Sequence, residues 1–527
     1  MAAETTPGDA VDFGEGSQLP MVRARTKLTF MTATRTPGMP VIEDGVLIST
    51  NPATGAEAGR LRVADEAAVS AAVDTARKAS AWWAALGFDG RKARLLQWRA
   101  LLADRVEELA ELTHLETGKP VADAVVEASA AIEHIDWAAR NAKRVLGPRR
   151  VKSRLLLMEH TGHLEYQPYG VVGVIGPWNY PIFTPCGPIS GALAAGNAVV
   201  FKPSEYTPVV GQWLADTFAE VVPEQPVLQA VHGLGDVGGA LCRSGVGKVA
   251  FTGSTATGKK VMAACAENLV PVVIEAGGKD AMIVDADADV TAAAEAAVWG
   301  GMTNAGQTCV GIERVYAVAP VYDAFVAAVT QKASALRTGE EIGPITMPKQ
   351  VDVIRRHIDD AIASGGRAVL GGPEAVQPPY VGPTVLVDVP EESAAVREET
   401  FGPTLTVTRV ADAEEAVSKA NALPYGLGGA VFGKANGIRI ARRLRTGMVA
   451  VNSTLTFVGM ANLPFGGVGD SGFGRVHGDD GLREFARAKA VAVRRGPSLL
   501  PAATFERTPA HIKAIVRTLK LLYGRKR

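Results

Sequence analysis

The chain has 527 residues, of which 47% are hydrophobic and 21% are charged, and its 55 basic residues balance its 55 acidic residues. A chain of this length and apolar content can bury several large cores, which excludes global disorder and favours roughly two to four domains. The absence of a basic excess argues against nucleic acid as a partner.

The N-terminal part combines a polar arm with helical patterns. Residues 1–40 are polar and interrupted by glycine and proline, which predicts a mobile arm, and no apolar secretory signal opens the chain. Apolar residues at helical spacing predict helices over 66–85, 92–117 and 122–145. Over 153–166 the pattern changes toward the alternating period of a strand, and a turn at 160–162 predicts a hairpin.

Short β-rich runs then alternate with helix-length segments, which is typical of a parallel, doubly wound sheet. The first set of runs lies at 171–175, 198–201, 227–231, 248–251 and 272–274. The second set lies near 281–284, 315–318, 384–387 and 448–451. The uncharged stretch from Tyr166 to Phe201 contains five prolines, so we interpret it as sheet interior and not as a membrane span.

The C-terminal residues have a basic, amphipathic pattern. No acidic residue follows Glu506, and the apolar positions 512, 515, 516, 519 and 522 share one helical face. Lys513, Arg517 and Lys520 lie on a different face. Such a helix binds anionic membrane surfaces, or it packs on its own or a neighbouring subunit. The sequence leaves both interpretations open, with residues 508–527 as the candidate membrane contact.

Three turns at predicted strand ends are candidate phosphate or ribose sites. Ser254 precedes a helix pattern, where free N–H groups and the helix dipole attract a pyrophosphate. Lys202 and Glu205 follow another strand and can hydrogen-bond the two hydroxyls of an adenosine ribose. The segment Gly233–Gly238 matches GxGxxG, but no acidic residue follows about 20 residues later, which favours a plain turn.

Three side chains are candidate catalytic groups. Cys309 lies in a loop of small residues, and a cysteine with a stabilised thiolate acts as a nucleophile. Glu275 ends a strand, where burial would raise its pKa toward that of a general base. Asn179, between two prolines, offers an amide N–H to an oxyanion. The four cysteines lack a CxxC pair and the eight histidines lack HxxxH spacing, so we predict no metal site, and a reducing, cytoplasmic location.

Seven motifs, in this order, resemble the aldehyde dehydrogenase superfamily. They lie at 173–181, 196–205, 251–258, 274–279, 306–309, 398–403, and 464–467 with 471–474. The likeness covers roughly residues 45–495. It implies the family's α/β fold, with two doubly wound Rossmann-like domains and a small bridging β-sheet, and it implies a homodimer or homotetramer.

The resemblance also implies where the domains lie. The dinucleotide-binding domain would comprise 41–150 and 168–276, and the catalytic domain 277–485. The bridging strands would lie in 151–167 and 486–496. Residues 1–40 would remain as the arm and 497–527 as the basic tail.

Roles for single residues follow from the same resemblance. Cys309 would attack the aldehyde carbon, Asn179 and the Cys309 backbone N–H would hold the oxyanion, and Glu275 would activate the water that hydrolyses the thioester. The cofactor would be NAD, with NADP left open, and Glu205 favours NAD because its charge repels a 2′-phosphate. The residues implied to bind the cofactor are Trp178, Lys202, Ser204, Glu205, Gly253, Ser254, Gly277, Glu399 and Phe401.

Departures from the family pattern bear on the substrate. Ala276 stands where members usually have leucine, and 467–477 lacks a lysine that many members carry, which is similar to the class 3 and fatty-aldehyde branch. With the basic tail, this predicts a medium- or long-chain apolar aldehyde. Residues 304–314 also resemble actinobacterial succinic-semialdehyde enzymes, which gives the alternative substrate. Glu275 argues against a CoA-acylating enzyme, and the intact catalytic positions argue against a non-enzymatic scaffold.

Overall fold

The computed structural model describes residues 37–154, 157–497 and 504–524. Residues 1–36 of the predicted arm, and 498–503 and 525–527 of the predicted tail, lie outside the described residues. The described chain is a mixed α/β structure with two mainly parallel sheets, as the alternating pattern predicted. Within these ranges, no helix is long and apolar enough to cross a membrane.

The described chain begins with a small antiparallel sheet and four helices. These are β1 (Val41–Glu43), β2 (Val46–Thr50), β3 (Glu57–Arg62), α1 (Glu66–Ala85), α2 (Gly87–Asp104), α3 (Val106–Thr117) and α4 (Val121–Leu146). The single helix predicted over 92–117 is wrong, because the backbone leaves helical geometry at Arg105. The buried residues Leu95, Leu102 and Leu109 keep a seven-residue spacing across the break, so the apolar period does not reveal it.

The next elements lead into the first parallel sheet. They are β4 (Arg149–Lys152), β5 (His160–Pro168), β6 (Val171–Ile175), α5 (Phe183–Ala195), β7 (Ala198–Lys202), α6 (Pro208–Val221), β8 (Leu228–Ala230), α7 (Gly235–Arg243), β9 (Lys248–Gly253), α8 (Thr255–Ala266) and β10 (Val272–Ala276). The segment Gly233–Gly238 was predicted to be a plain turn. Only its first two residues lie outside a helix, because α7 begins at Gly235.

The remaining elements build the second sheet and the C-terminus. They are β11 (Asp280–Val284), α9 (Val290–Met302), β12 (Ile312–Val318), α10 (Ala319–Ser334), α11 (Pro348–Ala363), β13 (Arg367–Leu370), β14 (Val376–Gln377), β15 (Tyr380–Val381), β16 (Thr384–Val387), α12 (Ala394–Arg397), β17 (Thr404–Val410), α13 (Ala413–Ala420), β18 (Gly429–Phe432), α14 (Gly437–Ala441), β19 (Ala450–Val451), α15 (Thr456–Gly459), β20 (Gly472–Phe473), α16 (Gly478–Glu484), β21 (Ala486–Arg494) and α17 (Pro509–Tyr523).

Each parallel sheet is buried between layers of helices. The first has the strand order β20-β10-β9-β6-β7-β8 and the second β13-β16-β17-β12-β11-β18-β19. Every residue of β6 and β7 is buried, as expected for strands covered on both faces. The uncharged stretch 166–201 therefore lies largely inside the fold, as predicted.

A further, separate three-stranded sheet is antiparallel, with the strand order β21-β5-β4. The turn predicted at 160–162 is wrong, because these residues lie within β5 and pair with β4 and β21. Gly162 is part of this ladder, where an added Cβ would come within 3.3 Å of the Val151 side chain. Close pairing on both sides outweighs the local turn preference of glycine.

The strand ends of the first sheet bring the candidate residues together. In its parallel register, Ile175 pairs with both Lys202 and Phe251, and Phe251 pairs with Ile274. The carboxyl ends of β6, β7, β9 and β10 therefore lie along one edge. In open α/β sheets, that edge is where ligands bind.

Candidate active site

Two cavities meet at Cys309. One, of about 590 Å³, is lined by Trp178, Asn179, Gly253, Ser254, Glu275, Gly277, Glu399 and Phe401. The other, of about 800 Å³, is lined mainly by apolar and aromatic side chains of α4, α5, α9 and the chain after β19. Cys309, Phe183 and Thr184 line both cavities. Of the predicted site residues, only Lys202, Ser204 and Glu205 lie outside the first cavity.

The loop that carries Cys309 has an unusual backbone. After α9 it passes through Asn304 and Ala305, both in the left-handed region (φ 52° and 55°), and through Gly306 (φ 72°). An added Cβ at Gly306 would lie 2.1 Å from the Gly402 carbonyl, so only glycine fits this close approach. The loop thereby places a half-buried thiol at the junction of the cavities.

Burial holds Cys309 in its thiol form. It raises the pKa of the thiol well above its usual range, and the carboxyl groups of Glu275 and Glu399 raise it further. The backbone N–H of Val310 donates a hydrogen bond to the sulfur and opposes this shift. Formation of the nucleophilic thiolate therefore needs a base.

Glu275 lines the same cavity and is the candidate for this base. It ends β10, is 5% exposed, and its Oε1 accepts no hydrogen bond from the described residues. Burial raises the pKa of this carboxyl to about 8, with Arg475 acting in the opposite direction. A carboxyl group of this pKa exchanges a proton readily near neutral pH.

Hydrogen bonds hold Asn179 at its side-chain carboxamide and at its backbone carbonyl. Its Nδ2 donates to the Gln307 carbonyl at 2.9 Å. Its backbone carbonyl accepts from Asn304 Nδ2 and from Lys119 Nζ, each at 2.9 Å. A carboxamide has two N–H bonds, and the contact with Gln307 uses one. The other can serve an oxyanion at Cys309.

The loops after β7 and β9 have the predicted charges and hydroxyls. Lys202 Nζ lies 3.7 Å from Glu205 Oε2, and burial lowers the pKa of Lys202 while Glu205 opposes this shift. The Ser204 hydroxyl accepts from the Tyr206 N–H at 3.3 Å. Ser254 is the N-cap of α8 and accepts from the Thr257 N–H at 3.3 Å. The helix start that was predicted to attract a phosphate is therefore present.

A loop from the second half of the chain completes the first cavity. Glu399 Oε1 accepts from the Gly278 N–H at 3.2 Å, and burial raises the pKa of Glu399 to about 8. An added Cβ at Gly277 would lie 2.1 Å from Glu399 Oε1, so glycine permits this approach. Phe401, at φ 52°, packs edge-on to Trp178 with ring centroids 5.6 Å apart.

Several contributors were not predicted as site residues. Phe183, Phe465 and His477 line the first cavity, and two buried ion pairs, Lys119–Glu127 and Lys279–Glu313, lie beneath its loops. Phe465 lies within the motif 464–467, and Gln307, whose carbonyl holds the Asn179 carboxamide, lies within the motif 306–309. These motifs were the signal that could have identified both residues. Lys279 also falls within a noted motif, 274–279, whereas Lys119, Glu127 and Glu313 lie outside the motifs and carry no such signal.

The first cavity fits a nicotinamide dinucleotide. It extends from the N-terminus of α8, which suits a pyrophosphate, to Cys309 and Glu399. The Lys202–Glu205 pair lies on the same strand edge. Among the described residues, no group of three or more His, Cys, Asp or Glu side chains is placed to hold a metal ion.

Comparison with known proteins agrees with this geometry. The model of the aldehyde dehydrogenase family matches residues 43–491. The chain is 37% identical over 448 residues to 4,4'-diapolycopene aldehyde oxidase of a Methylomonas species, covering 84% of each protein. It is 35% identical over 458 residues to glutarate-semialdehyde dehydrogenase of Pseudomonas putida, covering 84% of this chain and 93% of that protein.

A solved structure shares the fold. The NAD-dependent aldehyde dehydrogenase of Sinorhizobium meliloti matches with a TM-score of 0.83 and 32% identity, covering 87% of this chain and 93% of that one. The family match, the relatives and the shared fold extend over the same large part of the chain. The chain therefore belongs to the aldehyde dehydrogenase family and is an NAD(P)-dependent oxidoreductase that acts on aldehydes.

Proposed function

We propose that Cys309 is the nucleophile, that Asn179 and the Cys309 backbone N–H bind the oxyanion, and that Glu275 is the general base. The observation that carries this proposal is the position of Cys309, which lies where the two cavities meet. Glu275 and Asn179 line the first of these cavities with it. A thiol, a carboxyl group and an amide donor that line one cavity are the groups that this chemistry needs.

The chemistry proceeds in two stages. The Cys309 sulfur bonds to the aldehyde carbon while its proton passes to Glu275, and Asn179 donates to the oxygen that gains charge. NAD(P), when bound, supplies the acceptor for the hydride that leaves this carbon. Glu275 returns its first proton to solvent and then takes a proton from the water that attacks the resulting thioester. The carbon–sulfur bond breaks, the acid leaves, and the sulfur takes the proton back from Glu275, which restores the thiol.

The cofactor residues have separate roles in this proposal. Lys202 and Glu205 hold the adenosine ribose, the α8 start with Gly253 and Ser254 holds the pyrophosphate, and Ser204 shapes the turn between them. Glu399 holds the nicotinamide ribose, with Gly277, Trp178 and Phe401 packed beside it. The Glu205 carboxylate favours NAD over NADP because it repels a 2′-phosphate.

The second cavity supports a medium- or long-chain apolar aldehyde as substrate. Its lining includes Tyr180, Phe183, Val310 and Leu455, and its exposed residues Val126, Trp299 and Met460 are also apolar. The charged residues in the lining are all acidic: Asp123, Glu127 and Glu133. Because Glu127 is paired with Lys119, an ω-carboxylate would meet the acidic Asp123 and Glu133 without a basic partner in this lining, which disfavours succinic semialdehyde.

The substrate proposal is tested with the purified protein and a panel of decanal, benzaldehyde and succinic semialdehyde. We expect the highest kcat/KM with decanal and NAD, measured as reduced nicotinamide. The Cys309→Ala variant should form none. A higher kcat/KM with succinic semialdehyde would overturn the apolar substrate, and activity in Cys309→Ala would overturn the nucleophile.

We also propose that α17 binds the surface of an anionic membrane. None of its residues is buried, and Ile512, Val516, Leu519 and Leu522 are each at least 40% exposed. The cations Lys513, Arg517 and Lys520 complement anionic headgroups, and the helix contains no acidic residue. An apolar aldehyde dissolved in a bilayer would then lie near the enzyme.

Liposome sedimentation tests the role of α17. We expect the full chain to bind vesicles that contain phosphatidylserine, and binding to weaken as salt is raised, because each basic residue contributes about 1 kcal/mol at such a surface. Deletion of 508–527 should abolish binding and leave kcat with soluble aldehydes unchanged. Equal binding by the full and shortened chains would contradict the proposal, and a change in oligomeric state on deletion would favour subunit packing.

We propose that the separate sheet β4–β5–β21 mediates a homodimer or homotetramer. All four residues of β4 are exposed, and β21 is exposed along most of its length. An exposed edge of this kind pairs readily with another chain. Light scattering of the wild type and of Val151→Lys tests this, since a charge facing the partner should shift the mass toward the monomer. An unchanged mass would place the interface elsewhere.

A further inference from the structure

A buried ion pair lies beneath the loop that carries Asn179. Lys119 follows α3 and Glu127 lies in α4, and their side chains are 1% and 0% exposed. The chemistry proposed above does not use either group. Their charges are far from solvent, so what they contact determines what they do.

Both side chains are directed at the loop from Asn179 to Phe183. Glu127 Oε1 accepts hydrogen bonds from the Ile182 N–H at 2.7 Å and the Phe183 N–H at 3.1 Å, while Oε2 pairs with Lys119. Lys119 Nζ donates to the Asn179 carbonyl at 2.9 Å. It also lies 4.0 Å from the centroid of the Tyr180 ring. The pair therefore contacts the loop at both ends and in the middle.

A gain in stability alone does not explain why this ion pair is buried here. Removing two charges from water is costly, and well-packed apolar residues often replace a buried ion pair without loss of stability. The backbone groups of this loop, however, are buried and need partners. Lys119 and Glu127 provide those partners in one geometry, so the backbone that carries the Asn179 side chain has little freedom.

We propose that Lys119 and Glu127 are positioning residues that fix the Asn179 carboxamide in place to receive the oxyanion. This inference rests on the oxyanion role proposed for Asn179. Lys119 acts through the Asn179 carbonyl, and Glu127 acts through Lys119 and through the N–H groups that follow. An amide donor held in advance stabilises the transition state without reorganisation during the reaction.

The double variant Lys119→Met/Glu127→Gln removes the Nζ donor to the Asn179 carbonyl without leaving an unpaired charge. The glutamine oxygen can still accept from the N–H groups of Ile182 and Phe183. A small displacement of a catalytic group lowers rates by up to about 100-fold. We therefore expect the first-turnover rate of reduced nicotinamide formation to fall about tenfold or more. KM for NAD should stay within about twofold, because the Lys202 and Glu399 loops are untouched. Glu127→Gln alone leaves the buried Lys119 charge without its partner, which should cost more stability, but it keeps the Lys119 donor to the Asn179 carbonyl and should lower the same rate by less.

The control is Lys248→Met/Glu484→Gln, which removes another Lys–Glu pair (2.5 Å), with Lys248 at the start of β9, the opposite end of that strand from Gly253. It should lose stability while its first-turnover rate stays at the wild-type value. An equal loss of rate in this control would mean that destabilisation explains the effect, and would overturn the proposal. A first-turnover rate within about twofold of wild type in both Lys119→Met/Glu127→Gln and Glu127→Gln would do the same.

Combination with Asn179→Ala separates this proposal from the one it rests on. If the pair acts through Asn179, Lys119→Met/Glu127→Gln should cause little further loss of rate once Asn179 is alanine. Independent, multiplying losses would reject the positioning role and leave the oxyanion role intact. A wild-type rate in Asn179→Ala itself would instead reject the oxyanion role, and the positioning role with it.

Discussion

At the scale of single residues, the site combines two acids that burial holds in their neutral forms. The pKa of Glu275 is raised to about 8, and the pKa of Cys309 is raised well beyond its usual range. Each carboxylate near Cys309 opposes the formation of a second negative charge. Proton transfer from sulfur to Glu275, the base that we propose, would avoid that second charge.

The pH dependence of turnover follows from this pKa. Glu275 accepts protons only as a carboxylate, and that fraction rises as the pH rises through about 8. We expect kcat to increase from pH 6 through pH 8 and to level off only above about pH 9. Glu275→Gln should lower kcat by about 10²–10⁴ and remove the rise, measured by steady-state kinetics over about pH 6–10. A rise that persists in the variant would assign the titration to another group.

At the scale of elements, strand ends place the loops and buried ion pairs then fix them. The Lys279–Glu313 pair repeats the arrangement found beneath Asn179. Glu313 accepts from the N–H groups of Thr400 and Phe401 at 2.8 and 3.0 Å, and Lys279 donates to the Thr400 hydroxyl at 2.9 Å. A non-glycine residue at positive φ, such as Phe401, persists only where its surroundings determine it strongly.

This second pair should affect cofactor binding more than chemistry. The loop it holds carries Glu399 and Phe401, which we assign to the nicotinamide side of the cofactor. We expect Lys279→Met/Glu313→Gln to raise KM for NAD about tenfold, a cost of about 1.4 kcal/mol. The first-turnover rate at saturating NAD should change less than that. An unchanged KM for NAD with a large loss of first-turnover rate would contradict this division of roles.

At the scale of the whole molecule, a buried histidine pair links α4 to the chain before α16. The rings of His134 and His477 lie 3.8 Å apart, and neither nitrogen of His477 has a hydrogen-bond partner among the described residues. Burial lowers the pKa of His134 to about 4 and lowers the pKa of His477 strongly. The folded protein therefore holds both rings neutral.

Acid should destabilise the fold through this pair. The folded-state pKa values lie below the unfolded value of about 6.5, so the unfolded chain binds more protons as the pH falls below about 6.5. This pair therefore costs no stability above that pH, and at pH 5 the neutral His134 ring lowers the free energy of unfolding by about 2 kcal/mol. We expect His477→Leu to lose less stability than wild type between pH 7 and 5, measured by denaturant unfolding. The half-buried His163→Leu is the control, and an equal loss in all three proteins would contradict this prediction.

Much of the fold was predictable because it depends on local patterns. Helix α1 and strands β6 and β16 lie at the predicted residues, since apolar period and flanking turns act within a few residues. The break at Arg105 and the strand at 160–162 were missed, because both depend on packing against distant segments. The predicted domain boundaries and residue roles stay predictions.

The sequence by itself determined the family and the α/β class, and it singled out the candidate reactive groups, because these depend on residue types at short spacings. Only the tertiary structure decided that Cys309 lies between two cavities and that the second cavity combines apolar side chains with acidic ones. It also decided that Lys119 and Glu127 support Asn179 from more than 50 residues away. Such contacts join segments distant along the chain, and packing alone brings them together.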